Sequence, residues 1–227
     1  HQLSDMAAAE EPNEALCASQ TVHELAKHYF RTGHYEKALS IFQSMADSER
    51  KLAEVTGNNI EWAQLLVDCG TTLSAISARE ASRRRGGGAP QRRRAESLLE
   101  TGVAMLGKQC DANDPRLSVP LSNLAECKRR AGKLREACDC FTRSIDVAQR
   151  AALARPRTSV PAACDSQTSW CGLSASLRAL RHHQRANEAL QNAIARNTGV
   201  AFPARPGRFL PGEVPDDEQL PREGGPA

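Results

Sequence analysis

The sequence predicts an all-α chain, a stack of about four helical hairpins. Three observations carry this expectation. Aromatic residues make up only 4% of the chain, whereas Ala, Leu, Arg, Glu and Gln are plentiful, and these side chains lose least on entering a helix. Apolar residues recur at three- and four-residue spacing in successive segments, the period of one helical face. The segments also come in pairs split by a breaker, with an Ala at a matching place in each second segment, which marks an internal repeat.

Residues 1–14 read as an uncommitted N-terminal extension and residues 15–198 as the helical domain. The first hairpin, about 19–56, sets Val22, Leu25, Ala26 and Tyr29 on one face, breaks at Gly33, and sets Tyr35, Ala38 and Phe42 on the next. Gly57-Asn-Asn ends it, since Gly and Asn tolerate the backbone a helix stop requires. The second hairpin, 59–109, carries Trp62, Leu65, Leu66, Cys69 and Leu73, then Ala95, Leu98, Leu99 and Val103, and is degenerate because a basic insertion, 83–94, separates its helices. The third, 116–154, follows the breaker Asp111 to Pro115 and shows Leu121, Leu124, Ala125, Gly132, Leu134, Ala137, Phe141 and Ile145. The fourth, 166–197, follows Pro156 to Pro161 and shows Trp170, Leu173, Leu177, Ala186, Leu190 and Ile194, with Arg181 in place of the turn glycine and Ser174 in place of the small apolar residue. The second-helix alanines Ala38, Ala95, Ala137 and Ala186 stand 57, 42 and 49 residues apart. Residues 199–227 are rich in Pro and Gly, which rules out continued helix; Phe202, Phe209, Leu210, Val214 and Leu220 beside Asp216, Asp217 and Glu218 suit an extended docking strap.

This spacing resembles the tetratricopeptide repeat, in which a large residue, a Leu, a small residue and an aromatic mark the first helix and an Ala and an aromatic mark the second. Lys128 stands where the first-helix aromatic of the third hairpin is expected. The long gaps, and the run Asp111-Ala-Asn-Asp-Pro-Arg-Leu before Leu121-Ser-Asn-Leu-Ala, resemble the linkers and following helices of kinesin light chains. The resemblance covers about Val22 to Ala195. It implies a right-handed superhelical stack whose first helices line a concave groove that binds a partner. On that template the groove side falls at His23, Lys27 and Arg31, at Ser122, Glu126, Arg129 and Arg130, and at Arg178, a mainly basic face suited to an acidic peptide. The paired Lys and Asn of a chaperone-tail carboxylate clamp are not there.

The net charge, from 30 basic and 27 acidic residues, is only +3, so local clusters decide more than the sum. The densest is Arg83, Arg84 and Arg85, then Gly-Gly-Gly-Ala-Pro-Gln, then Arg92, Arg93 and Arg94, read as a loop that meets a polyanion, either RNA or an acidic protein. No aromatic residue is interleaved for base stacking. Gly102-Val-Ala-Met-Leu-Gly107-Lys108-Gln109 nearly spells a phosphate loop, but Gln109 stands where Ser or Thr must meet the metal and no strand precedes it. Those glycines suit close packing or helix fraying in the second hairpin instead.

Eight cysteines lie singly within helical patterns, with no CxxC pair and no signal peptide before them, so reduced thiols in an intracellular compartment are expected. Cys69 and Cys127 occupy core positions; Cys138 and Cys140 point to different sides of one helix; the adjacent His182 and His183 diverge too far to share a ligand. No catalytic triad, metalloprotease motif or nucleotide fingerprint is present, so no enzyme activity and no cofactor or metal is expected. No apolar run reaches the roughly 18 residues of a membrane span. The expected function is a non-catalytic scaffold, an accessory subunit that binds other proteins of a larger assembly. The start at His1 and the basic insertion suit a mitochondrial assembly, with the cytoplasm as the alternative. Two other readings stay open: a kinesin-light-chain-like cargo adaptor, against which stands the lack of a heptad run before Val22, and an RNA-contacting accessory protein, for example of a ribosome.

Overall fold

The computed structural model describes residues 19–83, 88–154 and 166–198. Among these residues there is helix and no strand. Helix α1 covers residues 19–31, followed by α2 Tyr35–Thr56, α3 Ile60–Arg83 and α4 Ala89–Gln109. A 3-10 turn, Pro115–Leu117, leads into α5 Ser118–Arg130, and α6 Leu134–Ala154, α7 Ser166–Ala179 and α8 His183–Thr198 complete the described chain. Successive helices pack on one another, and α3 also meets α5 as α5 meets α7. First helices therefore stand beside first helices, the arrangement of a solenoid. The expectations for residues 1–18, for Arg84 and Arg85, for Pro156 to Pro161 and for the tail 199–227 lie outside the described residues.

The turns show why the sequence repeats as it does. After α1, Thr32 N–H donates to the His28 carbonyl, Gly33 N–H to Phe30 and His34 N–H to Tyr29. After α5, the same three bonds run from Ala131 to Cys127, Gly132 to Arg129 and Lys133 to Lys128. After α7 they run from Leu180 to Ser176, Arg181 to Arg178 and His182 to Leu177. The middle residue of each turn has a left-handed backbone, with φ of 80° at Gly33, 81° at Gly132 and 64° at Arg181. Glycine takes this conformation freely, whereas Arg181 crowds its Cβ against the following carbonyl. Five residues beyond each of these positions come Ala38, Ala137 and Ala186, all fully buried, whose N–H groups donate to the carbonyls of His34, Lys133 and His182. Turn and packing alanine thus form one unit. In the fourth hairpin Ser174, the small-residue position, donates to the Ala186 carbonyl at 2.7 Å.

The core is distributed along the stack, one cluster per junction. Ala26, Ala38, Phe42 and Ala46 meet Leu65 and Cys69 of α3. Ala63, Val67, Leu99, Val103 and Leu106 join α3 and α4 to Leu117, Leu121 and Leu124 ahead of and on α5. Phe141, Ile145, Trp170, Leu173 and Ala189 join α6 to α7 and α8. Burial pushes the Cys69 thiol up to about 12, with the neighbouring Asp68 charge adding to the effect, and raises Cys138 to about 11.

Hairpin two departs from the reading of it as degenerate. Its helices approach so closely that a Cβ at Gly70 would lie 2.7 Å from Leu99 Cγ and 3.0 Å from the Ala95 carbonyl oxygen. One at Gly102 would lie 2.8 Å from Val67 Cγ2 and 2.9 Å from the Ala63 carbonyl oxygen. The two glycines let α3 and α4 interlock at two levels, while Gly107 faces open space. Val22 and Leu25, expected in the core, are 41% and 46% exposed, and Leu190 and Ile194 are exposed at the other end. Each pair lies on a terminal helix of the described stack, where no further described hairpin covers it.

Candidate binding surface

The first helices are joined by a row of polar side-chain contacts. His23 Nε2 of α1 lies 2.9 Å from Asp68 Oδ2 of α3. Asn123 Nδ2 of α5 donates to Thr71 Oγ1 of α3 at 3.0 Å, and Arg130 Nη1 to the Ser74 carbonyl at 3.5 Å. Ser169 Oγ of α7 donates to Ser122 Oγ of α5 at 3.0 Å. Ser169 also meets Ser144 Oγ at 3.0 Å, and Ser144 donates to the Ser118 carbonyl at 2.7 Å. A chain of hydroxyls therefore crosses α5, α6 and α7, running from buried Ser118, Ser144 and Ser169 to half-buried Ser122.

The charges expected along this row are placed differently from the expectation. His23 is spent on Asp68, and its ring packs edge-on against Phe42 at 5.7 Å. Lys27 pairs with Glu24 at 3.0 Å. Glu126 accepts from Arg129 Nε and from Arg130 Nε, both at 2.7 Å. Burial works against the Glu126 carboxylate, but the bonds from Arg129 and Arg130 outweigh it and hold its carboxyl below the ordinary range. At α5 the two arginines thus share one carboxylate, which leaves a single net positive charge on the triad. Arg31 and Arg178 are exposed and make no ion pair among the described residues, and they lie on different helices, α1 and α7.

The strongest electrostatic feature is one the sequence reading passed over as a departure from the template. Lys128 is buried, its side chain only 8% exposed, with Nζ 2.6 Å from Glu136 Oε2, 2.8 Å from Glu100 Oε1 and 3.4 Å from Glu96 Oε1. Lys133 closes on Glu96 at 2.8 Å. Burial alone would lower the Lys128 pKa, but the hydrogen bonds to Glu100 and Glu136 prevail and raise it. The ammonium sits where three carboxylates converge, so the cluster has its cation and acts as a pin between α4, α5 and α6. A signal existed in the sequence: Glu96 and Glu100 are like charges one helical turn apart, a pair that is unfavourable unless a cation comes between them.

At its described residues the arginine segment, read as a loop, is largely helical. Arg83 is the last residue of α3, and Arg92, Arg93 and Arg94 lie in the first two turns of α4. Arg83, Arg93 and Arg94 are exposed, and none of the four makes an ion pair among the described residues. Gly88 starts α4 with a φ of 91° and its carbonyl accepts from Ser77 Oγ at 2.8 Å, which ties the two helix ends together.

No protein-family model matches the chain, and no curated protein matches it. Among solved structures it is similar to a kinesin light chain-type protein of Podosopora anserina with nearly identical TPR-like repeats, at 18% identity over 82% of this chain and 78% of that one, with a TM-score of 0.58. It is also similar to BtubC (BKLC) from P. vanneervenii, at 16% identity over 82% of this chain and 66% of that one, with a TM-score of 0.59. With the repeated turns, the packing alanines and this likeness together, the chain has the fold of a tetratricopeptide-type solenoid, built like the repeats of kinesin light chains.

Proposed function

We propose that this protein is a non-catalytic scaffold, an accessory subunit that holds another protein against the aligned faces of α1, α3, α5 and α7. The observation that carries this reading is the row of polar contacts from His23 to Ser169. It fixes four first helices as one continuous surface whose side chains are hydrogen-bonded to one another, which suits recognition of an extended chain and offers no nucleophile paired with a base. Among the described residues no helix is long and apolar enough to cross a membrane. The likeness to kinesin light chain repeats supports a second form of the reading, a reversible cargo adaptor. The mitochondrial assignment rests on sequence features alone and is read out by where the recovered assembly resides.

The test is affinity purification of the tagged protein after mild lysis, with mass spectrometry, before and after nuclease treatment, and with Asn123→Ala and Ser122→Arg on the proposed face. Stoichiometric recovery of one assembly, lost in the face variants, is the expected result. Equal recovery with wild type and variants overturns the placement of the partner on this face.

A further inference from the structure

We propose that the edge formed by the end of α3 and the start of α4 is a second docking surface, separate from the first-helix face, and that it receives an acidic polypeptide segment. Several arginines of the described chain have a carboxylate at hand: Arg50 has Glu54, Arg79 has Glu36, Arg116 has Asp114, and Arg129 and Arg130 share Glu126. Arg83, Arg92, Arg93 and Arg94 have none among the described residues, and unlike Arg31 and Arg178, which stand apart on different helices, they lie together, four guanidinium groups on two tied helix ends.

Their neighbourhood sharpens the contrast. Glu96 and Glu100, the acids nearest them on α4, are already taken by Lys133 and Lys128. The first turn of α4 holds no acidic residue, and Gly88 supplies no side-chain cap. Cations at the positive end of a helix dipole are unfavourable by themselves, and an anion arriving from outside relieves that cost.

The choice of a polypeptide follows from geometry. Arg92, Arg93 and Arg94 are consecutive, so at about 100° per residue they fan around α4 and do not line up along one strand of phosphates. The α3 and α4 stretches carrying these arginines hold no aromatic residue on which a base could stack; Trp62, the aromatic of α3, lies near the opposite end of that helix, packed on the first core cluster. A flexible acidic segment can offer carboxylates in several directions, each meeting a planar guanidinium at two points.

The experiment measures binding of a fluorescent glutamate-rich peptide and of an oligouridylate of matched charge to the full chain, at low and at physiological salt. Arg83→Gln/Arg93→Gln/Arg94→Gln is expected to weaken the peptide about tenfold, from three exposed charge contacts, with helical content unchanged by circular dichroism. Asn123→Ala, on the first-helix face, is expected to leave peptide affinity unchanged. A triple variant that binds the peptide as well as wild type overturns the proposal, as does preference for the oligouridylate or an absence of binding by either probe. Loss on Asn123→Ala alone would transfer the acidic partner to the first-helix face, sinking this inference while leaving the scaffold reading in place.

Discussion

The two faces of α4 show two ways of holding helices together. Toward α3 the contact is dry and steric: Gly70 and Gly102 remove the side chains that would keep the backbones apart, and Leu99 and Val67 fill the space. Toward α5 and α6 the contact centres on charge, with Lys128 among Glu96, Glu100 and Glu136. The first kind depends on shape and is insensitive to ions. The second depends on partners being present together, because a buried charge left alone costs more than the pair contributes.

Breaking the steric face should have the largest effect. Gly102→Val places its Cβ against Val67 and the Ala63 carbonyl, where backbone cannot yield, and should cost about 3 kcal/mol in urea unfolding. Breaking the charged face comes next. Lys128→Ala should cost about 2 kcal/mol, below the usual figure for a buried pair because Glu100 and Glu136 are about half exposed and Lys133 still serves Glu96. Raising the salt concentration should shrink the Lys128→Ala penalty and leave that of Gly102→Val unchanged, and equal salt responses would dissolve the distinction.

Proton linkage sharpens the same contrast. Hydrogen bonding to Lys128 lowers the Glu136 pKa, as bonds from Arg129 and Arg130 lower that of Glu126 against its burial, and the Arg116 bond holds Asp114 at about 2. A carboxyl depressed on folding contributes stability above its unfolded pKa, which is lost as pH falls through the folded value. Melting temperature should therefore fall as pH drops below the ordinary carboxylate range, and Lys128→Met should flatten part of that decline. Lys128, raised on folding, contributes fully below its ordinary value of 10.5 and loses that contribution only as pH rises above it. The smallest effect is local: Arg181→Gly relieves the left-handed backbone at φ 64° and should stabilise by about 0.5–1 kcal/mol, net of the entropy glycine adds to the unfolded chain. Destabilisation there would mean that the Arg181 side chain contributes more than its backbone costs.

These two kinds of contact also divide what could be read in the sequence. Ala38, Ala137 and Ala186 announce themselves because turn and alanine keep a fixed five-residue offset, a local relation. Arg181 could be placed in the turn although it is not glycine, since the surrounding period fixed its position. The Lys128 pin brings together acids from α4 and α6, and no spacing within α5 points to them. The Glu126 pairs with Arg129 and Arg130 were legible by contrast, being three and four residues apart, and reading them would have offset one of the two positive charges at that part of the basic face. Arg92, Arg93 and Arg94 looked like loop because Gly-Gly-Gly precedes them, but Pro90 in the first turn of α4 fits a helix start.

The hydroxyl chain through Ser118, Ser144, Ser169 and Ser122 carries a consequence for how the molecule comes apart. Ser169 of α7 meets Ser122 of α5 and Ser144 of α6, so drawing α7 away would break contacts to both neighbouring helices at once. Amide exchange in α5, α6 and α7 should accordingly proceed through a single shared opening, one cooperative block.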